Sequence, residues 1–306
     1  MSLLLLVSFF IQTHFLVHVH INDLPDRHTS NVAFRKCSYA DFLRPARSSV
    51  GRSKSMPLHV VRFLKEIDHV FLLCLHRCRT TIPSEIVNRS THVLGSHVDS
   101  CAPSGLTSGK YEHALKVTFT HAIILQRAIE MRYKHVAVIE DDVLFLQQSA
   151  GKEVMLKNIL DSQHWSLLRF GYRPYFLQEH GVEPCPATCR CRMESKFSEH
   201  FCHLESAGCD LRSSDFYVIS SRYYKVFQDM LLDTRIPDSK RIVDVHPMRS
   251  LSNQWLIIPQ HSFQGKLDIP LDYQVGSAAL FVRKCLHPRP LPYNLTAPLS
   301  RSHIWR

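Results

Sequence analysis

The feature that most constrains the fold is a short apolar run ending in three consecutive acids. His135 to Ile139 is apolar and β-branched, and it stops at Glu140-Asp141-Asp142. Upstream, from Leu115 to Ile129, apolar residues recur at every third or fourth position, which predicts an amphipathic helix of about four turns. This order predicts an α/β unit with acids at the carboxyl end of a buried strand, where open α/β sheets place their ligands.

Further apolar segments predict more strands of the same sheet. His69–Leu75 is nearly continuous apolar, as in a buried parallel strand, and strand-like segments follow at Thr91–Gly95, Trp165–Gly171 and Phe216–Ile219. The last precedes an amphipathic helix at Arg222–Leu232. With 45% apolar and 21% charged residues, the chain is globular rather than disordered or multispan.

Three adjacent carboxylates are unfavourable to hold together, because like charges raise one another's pKa and resist burial. A bound cation relieves this repulsion, and hard oxygen ligands suit Mg²⁺ or Mn²⁺, which in turn bind a diphosphate. Alternating side-chain directions place Glu140 and Asp142 on one side of the strand and Asp141 on the other. The alternative interpretation is a solvated acidic turn.

The segments Thr120-His121 and His135 to Phe145 resemble glycosyltransferase family 25, which includes lipooligosaccharide and procollagen galactosyltransferases. That family has a Ser-His before a helix and then an apolar strand that ends in Glu-Asp-Asp. Here Thr120 stands in place of the Ser. A weaker collinear similarity extends over residues 66 to 264.

The resemblance implies a Rossmann-like glycosyltransferase A fold, an α/β fold with a mixed, mainly parallel central sheet flanked by helices. It also implies inverting transfer of a hexose, with galactose expected, from a uridine diphosphate sugar to a glycan or protein hydroxyl. Glu140 and Asp142 would bind Mn²⁺ or Mg²⁺ as the cofactor. Residues expected to contact the donor are Arg77, Arg79, Asp99, His121, Glu140 and Asp141.

Inverting transfer needs a carboxylate base opposite the leaving group. Asp244 is the first candidate for this base and Asp215 the second, since both follow or adjoin strand-like segments in the second half of the chain. Each is alternatively a helix cap or turn residue. Arg77 and Arg79 are alternatively part of a solvated loop, and His121 is alternatively a histidine satisfied within its helix.

The net charge is +10, from 37 basic and 27 acidic residues, which favours anionic partners. The Lys and Arg residues are scattered and match no nucleic-acid-binding pattern. The expected partners are therefore a nucleotide sugar and a glycan or glycoprotein acceptor, and not a nucleic acid.

Ten cysteines favour an oxidising compartment, and sequons at Asn88 and Asn294 agree with a secretory route. Five of the cysteines fall in a dense insertion at residues 185–209. Their spacing does not match standard zinc sites, so disulfides are favoured over a metal there.

The amino terminus has two apolar runs, Leu3–Ile11 and Phe15–Ile21. They favour a signal anchor over a cleaved signal peptide, a buried helix or a misassigned start. An anchor predicts a single-pass type II membrane protein facing the lumen of the Golgi or endoplasmic reticulum, whereas cleavage predicts a secreted one.

The expected organisation is a signal anchor or signal peptide at 1–21, a stem at 22–65, a nucleotide-sugar-binding half at 66–165 and an acceptor-binding half at 166–306. Two other functions are open. One is a secreted, disulfide-rich glycan-binding module, and the other is a transferase homologue without activity.

Overall fold

A computed structural model of the chain describes residues 42–46, 56–75, 77–100, 109–145, 153–162, 164–174, 186–191, 201–257 and 262–264, with Phe281 and Cys285. The predicted signal anchor or signal peptide, residues 1–21, lies outside these ranges. None of the helices within them is long and apolar enough to cross a membrane.

A large sheet forms the centre of the described structure. The strands are β1 (Leu43–Pro45), β2 (His69–Cys74), β3 (Ser90–Leu94), β4 (His135–Glu140), β5 (Val143–Phe145), β6 (Leu167–Arg169), β7 (Arg173–Pro174), β8 (Phe201–Leu204), β9 (Leu211–Arg212), β10 (Phe216–Ser220), β11 (Gln254–Ile257) and β12 (Ser262–Gln264). Eight of them form the sheet, in the order β1-β3-β2-β4-β10-β6-β11-β8. The others form the two-stranded ribbons β12-β5 and β7-β9.

Strands β2, β3, β4, β6 and β11 of the eight-stranded sheet run in one direction, and β1, β8 and β10 run in the other. Parallel pairing joins β3 to β2, β2 to β4 and β6 to β11, so the predicted mixed α/β sheet is confirmed. Strand β10 runs antiparallel between β4 and β6. The carboxyl ends of β2, β3, β4, β6 and β11 therefore meet the amino end of β10 along one border, called the carboxyl edge below.

Helices cover both faces of the sheet. They are α1 (Leu58–Leu64), α2 (Ser84–Val87), α3 (Glu112–Glu130), α4 (Glu153–Asp161), α5 (Tyr224–Leu232), α6 (Asp238–Arg241) and α7 (His246–Arg249). Alternation along β4 divides the core: Val136 and Val138 pack in the cluster of α3 and α5, whereas Ala137 and Ile139 pack in the cluster of α1 and α4.

The predicted amphipathic helix is confirmed as α3, but it starts earlier than the family pattern implies. Thr120 and His121 lie in the middle of α3 and are buried, so the expectation that they precede a helix is wrong. The hydroxyl of Thr120 bonds the carbonyl of Lys116 within the helix, which satisfies it locally.

Disulfides stabilise the loop-rich parts of the described structure. Cys74–Cys78 closes a short loop after β2, and the pairs Cys189–Cys209 and Cys191–Cys202 tie the cysteine-dense insertion to β8 and to the loop before β9. The preference for disulfides over zinc is therefore confirmed for these four insertion cysteines. Their presence indicates an oxidising, secretory-type compartment.

At the amino end of β2, the ring of His69 is buried. It shares a hydrogen bond of 2.8 Å with Thr91 Oγ1 and stacks on Tyr133. Burial and, to a smaller extent, the charges of Arg127 and Arg89 together lower the pKa of His69 to about 4.

We expect this histidine to make folding acid-sensitive. Between pH 6.5 and 4 the unfolded chain binds a proton that folded His69 does not, so stability falls as the pH falls. In denaturant titrations the wild type should lose up to about 3 kcal/mol over this range relative to His69→Asn. The exposed control His113→Asn should follow the wild type. If the stability of the wild type and that of His69→Asn depended equally on pH, His69 would not be the source of this acid sensitivity.

Candidate functional site

The acidic triplet, which begins at the last residue of β4, lies at the carboxyl edge between two neighbouring strands. The amide of Glu140 donates to the carbonyl of Asp215 at 2.8 Å, and the amide of Asp141 donates to the carbonyl of Leu73 at 2.9 Å. Backbone pairing thus continues into the acidic triplet on both sides. The geometry brings Asp215, from the amino end of β10, directly beside Glu140.

The carboxylate of Glu140 is held by side chains from two other elements. Ser214 Oγ donates to Glu140 Oε1 at 2.6 Å, and His121 Nε2 lies 3.6 Å from the same oxygen. Burial raises the pKa of Glu140, but His121 and Ser214, with a smaller contribution from Arg173, outweigh burial and lower it. Glu140 is therefore ionised at neutral pH.

His121 acts on Glu140 from a fully buried position on α3. Its Nδ1 shares a hydrogen bond of 2.8 Å with the Tyr217 hydroxyl. Burial raises the pKa of Tyr217 well above 10, so this hydroxyl stays protonated. With Tyr217 as donor, Nε2 of His121 carries the proton that faces Glu140. The sequence analysis expected His121 to contact the donor. Because His121 has no exposed surface, it instead supports Glu140.

Asp142 is the least compensated charge of the site. Burial, followed by repulsion from Glu140, Asp215 and Asp141, raises the pKa of Asp142 to about 7. Its Oδ1 atom is buried and makes no hydrogen bond. Asp141 is half-buried, and its carbonyl accepts a hydrogen bond of 3.3 Å from Thr80 Oγ1.

The two predicted bases lie in the same group of residues, but they differ in exposure. Asp215 is fully buried and accepts a hydrogen bond from Ser213 Oγ. Asp244 keeps 15% of its side chain exposed, accepts the Ser213 amide at 2.9 Å and lies 3.6 Å from Arg173 Nη2. Of these two carboxylates, only Asp244 is open to a ligand in the described structure.

Two arginines balance part of this negative charge. Arg169 is buried, and its Nη1 and Nη2 donate to the carbonyls of Leu211 and Ser213 at 2.9 and 2.8 Å. Burial lowers the pKa of Arg169 to about 10, against the effect of Asp244 and Asp215. Arg173, on the β7–β9 ribbon, is 14% exposed and its Nε makes no hydrogen bond.

Of the two arginines predicted to meet a diphosphate, Arg77 lies on the loop that the Cys74–Cys78 disulfide closes, and Arg79 follows that loop directly. This loop follows β2 at the carboxyl edge, and both arginine side chains are exposed. The backbone of Asp99 lies in a 3-10 turn after β3, at the same edge, and its side chain is outside the described part.

The expected cation has at most two direct ligands among the residues described. No group of three or more His, Cys, Asp or Glu side chains in the described ranges is arranged to hold a metal ion. A site here would depend on Glu140 and Asp142, with further oxygens supplied by ligand and water.

The sequence interpretation missed Arg169, Arg173, Ser213, Ser214 and Tyr217. The available signal was Arg169, a cation in the mostly apolar segment Trp165–Gly171 that was predicted as a strand. A buried guanidinium needs carboxylates or carbonyls nearby. Arg169 donates to the carbonyls of Leu211 and Ser213, and Asp244 and Asp215 lie close enough to act on it electrostatically.

In comparisons with known proteins, no family model matched the chain and no curated protein matched its sequence.

Replacing Asp142 by Asn should stabilise the folded chain. Between pH 4 and 7 folded Asp142 holds a proton that the unfolded chain releases, so wild-type stability falls as the pH rises through this range. Above pH 7 Asp142→Asn should be more stable by about 2 to 4 kcal/mol, and the advantage should vanish below pH 4. Denaturant unfolding at pH 4 and 8, with exposed Asp161→Asn as control, measures this. An Asp142→Asn variant less stable than wild type at pH 8 would disprove it.

Proposed function

We propose that the chain is a metal-dependent, inverting hexosyltransferase of the glycosyltransferase A type, which uses a uridine diphosphate sugar as donor. The observation that carries the proposal is the unpartnered, buried Oδ1 of Asp142 among three other carboxylates at the carboxyl edge. Such an arrangement is unfavourable by itself, and a divalent cation is the ligand that would compensate it.

The residues present fit Mn²⁺ or Mg²⁺. In phosphate-binding sites these ions commonly take one or two protein carboxylates and complete their shell with phosphate oxygens and water. Glu140 and Asp142 would supply the two carboxylates. When bound, the ion would stabilise the negative charge of a diphosphate leaving group.

Asp244 suits the role of base. Its carboxylate is partly exposed, and it is contacted by Arg173 and by the Ser213 amide. It would accept the proton of an acceptor hydroxyl, whose oxygen attacks the anomeric carbon opposite the diphosphate. The bond from that carbon to the diphosphate oxygen then breaks, and the nucleoside diphosphate leaves.

Galactose is the expected hexose, from the resemblance alone, and the acceptor would be a hydroxyl of a glycan or a protein. The oxidising compartment indicated by the disulfides is consistent with a luminal enzyme of the Golgi or endoplasmic reticulum. A type II membrane anchor or signal peptide at residues 1–21 stays a prediction.

Binding of the nucleotide tests the donor site. Calorimetry of the full chain should show uridine diphosphate binding that requires Mn²⁺. Asp142→Asn should weaken this binding at least about tenfold, since even the loss of a residue that only supports a metal ligand has an effect of that size. The control Asp161→Asn should bind as the wild type does. No binding by folded wild-type chain would contradict the proposal and favour a glycan-binding module, which a glycan-binding assay would detect.

Turnover of the donor tests the base. Asp244→Asn should lower kcat by about 10²-fold or more, the usual contribution of a general base, with little change in donor KM. Asp215→Asn should have a smaller effect, because buried Asp215 does not reach an acceptor. A larger loss with Asp215→Asn would reverse the assignment. Wild-type binding without any transfer, over a panel of hexose donors and acceptors, would instead favour an inactive homologue.

A further inference from the structure

Ser213, between β9 and β10, has an unusual backbone. Its φ is 96°, in the left-handed region that residues with a Cβ rarely adopt, and its side chain is buried. Strained residues of this kind persist only where surrounding contacts hold them, and they concentrate at functional sites.

The contacts that hold Ser213 involve its amide, its hydroxyl and its carbonyl. The amide donates to Asp244 Oδ2 at 2.9 Å, the hydroxyl donates to Asp215 Oδ1, and the carbonyl accepts Arg169 Nη2 at 2.8 Å. Ser213 thus fixes the relative position of both carboxylates proposed or considered as the base.

The adjacent residue makes the corresponding contact on the other side of the site. Ser214 is buried, and its hydroxyl donates to Glu140 Oε1 at 2.6 Å. The two consecutive serines therefore contact three carboxylates. Ser214 contacts Glu140 on β4, and Ser213 contacts Asp215 before β10 and Asp244 before α7. The short chain link between the serines sets the spacing of these carboxylates.

Packing alone does not explain a serine at position 213. Glycine adopts a φ of 96° without strain and would donate the same amide hydrogen to Asp244. It lacks the hydroxyl that binds Asp215, and it would leave the backbone freer to move. The serine at this position is explained if a fixed arrangement of Asp215 and Asp244 is required.

We propose that Ser213 and Ser214 are positioning residues with separate roles: Ser213, anchored by its bond to buried Asp215, holds Asp244 for proton transfer, and Ser214 holds Glu140 for the cation. This inference rests on the proposed function. It assigns a positioning role to the strained segment before β10. It also predicts that a substitution at Ser213 changes kcat, whereas one at Ser214 changes the affinity for the cation.

The test compares Ser213→Gly, Ser213→Ala and Ser214→Ala, with exposed Ser84→Ala as control. Ser214→Ala should weaken Mn²⁺ binding in the presence of uridine diphosphate about tenfold, while kcat at saturating Mn²⁺ changes little. Ser213→Gly should leave Mn²⁺ affinity and donor KM unchanged but lower kcat by about tenfold or more, since small displacements of reacting groups strongly reduce rate.

Stability supplies an independent readout. Ser213→Gly and Ser213→Ala both lose the hydroxyl and differ by one Cβ at positive φ, so Ser213→Gly should unfold at the higher denaturant concentration. A lower midpoint for Ser213→Gly would overturn the strained backbone on which the inference depends. Equal losses of every parameter in the Ser213 and Ser214 variants would show a merely structural role.

Failure of the inference is distinguishable from failure of the proposed function. If the wild type binds uridine diphosphate with Mn²⁺ and transfers hexose, wild-type kcat in Ser213→Gly overturns the inference alone. If the wild type neither binds this pair nor transfers hexose, the proposed function fails and the positioning roles fail with it.

Discussion

Repulsion among the carboxylates at the carboxyl edge is the constraint on which the rest of the site depends. Glu140, Asp142, Asp215 and Asp244 lie close enough to influence one another or to share the same arginines. The fold compensates most of them individually, through Ser214 and His121 at Glu140, and through Ser213 at Asp215 and Asp244. Asp142 is the exception, and its raised pKa is the electrostatic result. The uncompensated charge is therefore concentrated at one side chain beside Glu140.

The topology of the sheet explains how these groups come together. Parallel strands β2, β3 and β4 bring their carboxyl ends to one border, as expected for an α/β unit. Because β10 is inserted antiparallel between β4 and β6, its amino end, and not its carboxyl end, reaches that border. Asp215 and the two serines precede β10 and so arrive at the acidic triplet. The same insertion places Tyr217 beneath His121.

Local patterns sufficed to predict the parts of the site that lie within one segment. The apolar run before Glu140 defined a buried strand, and the stripe from Leu115 to Ile129 defined α3, since both depend on side-chain periodicity. The pairing of β10 with β4 is a long-range contact, which periodicity does not encode. For this reason Asp215 was predicted only as a base candidate, without its place beside Glu140.

The positive φ of Ser213 was less accessible still. A left-handed backbone is usually signalled by Gly, Asn or Asp, and a Ser-Ser-Asp sequence reads as an ordinary turn. Only the three contacts of Ser213 reveal why the chain adopts this conformation. Similarly, Arg173 belongs to a two-residue strand too short to produce a hydrophobic pattern. The residues that orient the acids were thus hidden from the sequence because their roles arise from tertiary contacts.

The site consists of two groups of residues with different mechanical support. Glu140 ends the central strand β4 and Asp142 follows it. Glu140 lies beside buried His121, which Tyr217 holds in place, so the proposed cation site adjoins the buried core. Asp244 lies in a connection between short helices and depends on Ser213 and Arg173 for its position. The contacts that position Asp244 therefore differ from those that position Glu140, so a substitution in the loops around the proposed base should leave the proposed cation ligands in place. In the proposed enzyme, acceptor specificity would therefore arise in the loops around Asp244 rather than at Glu140 and Asp142.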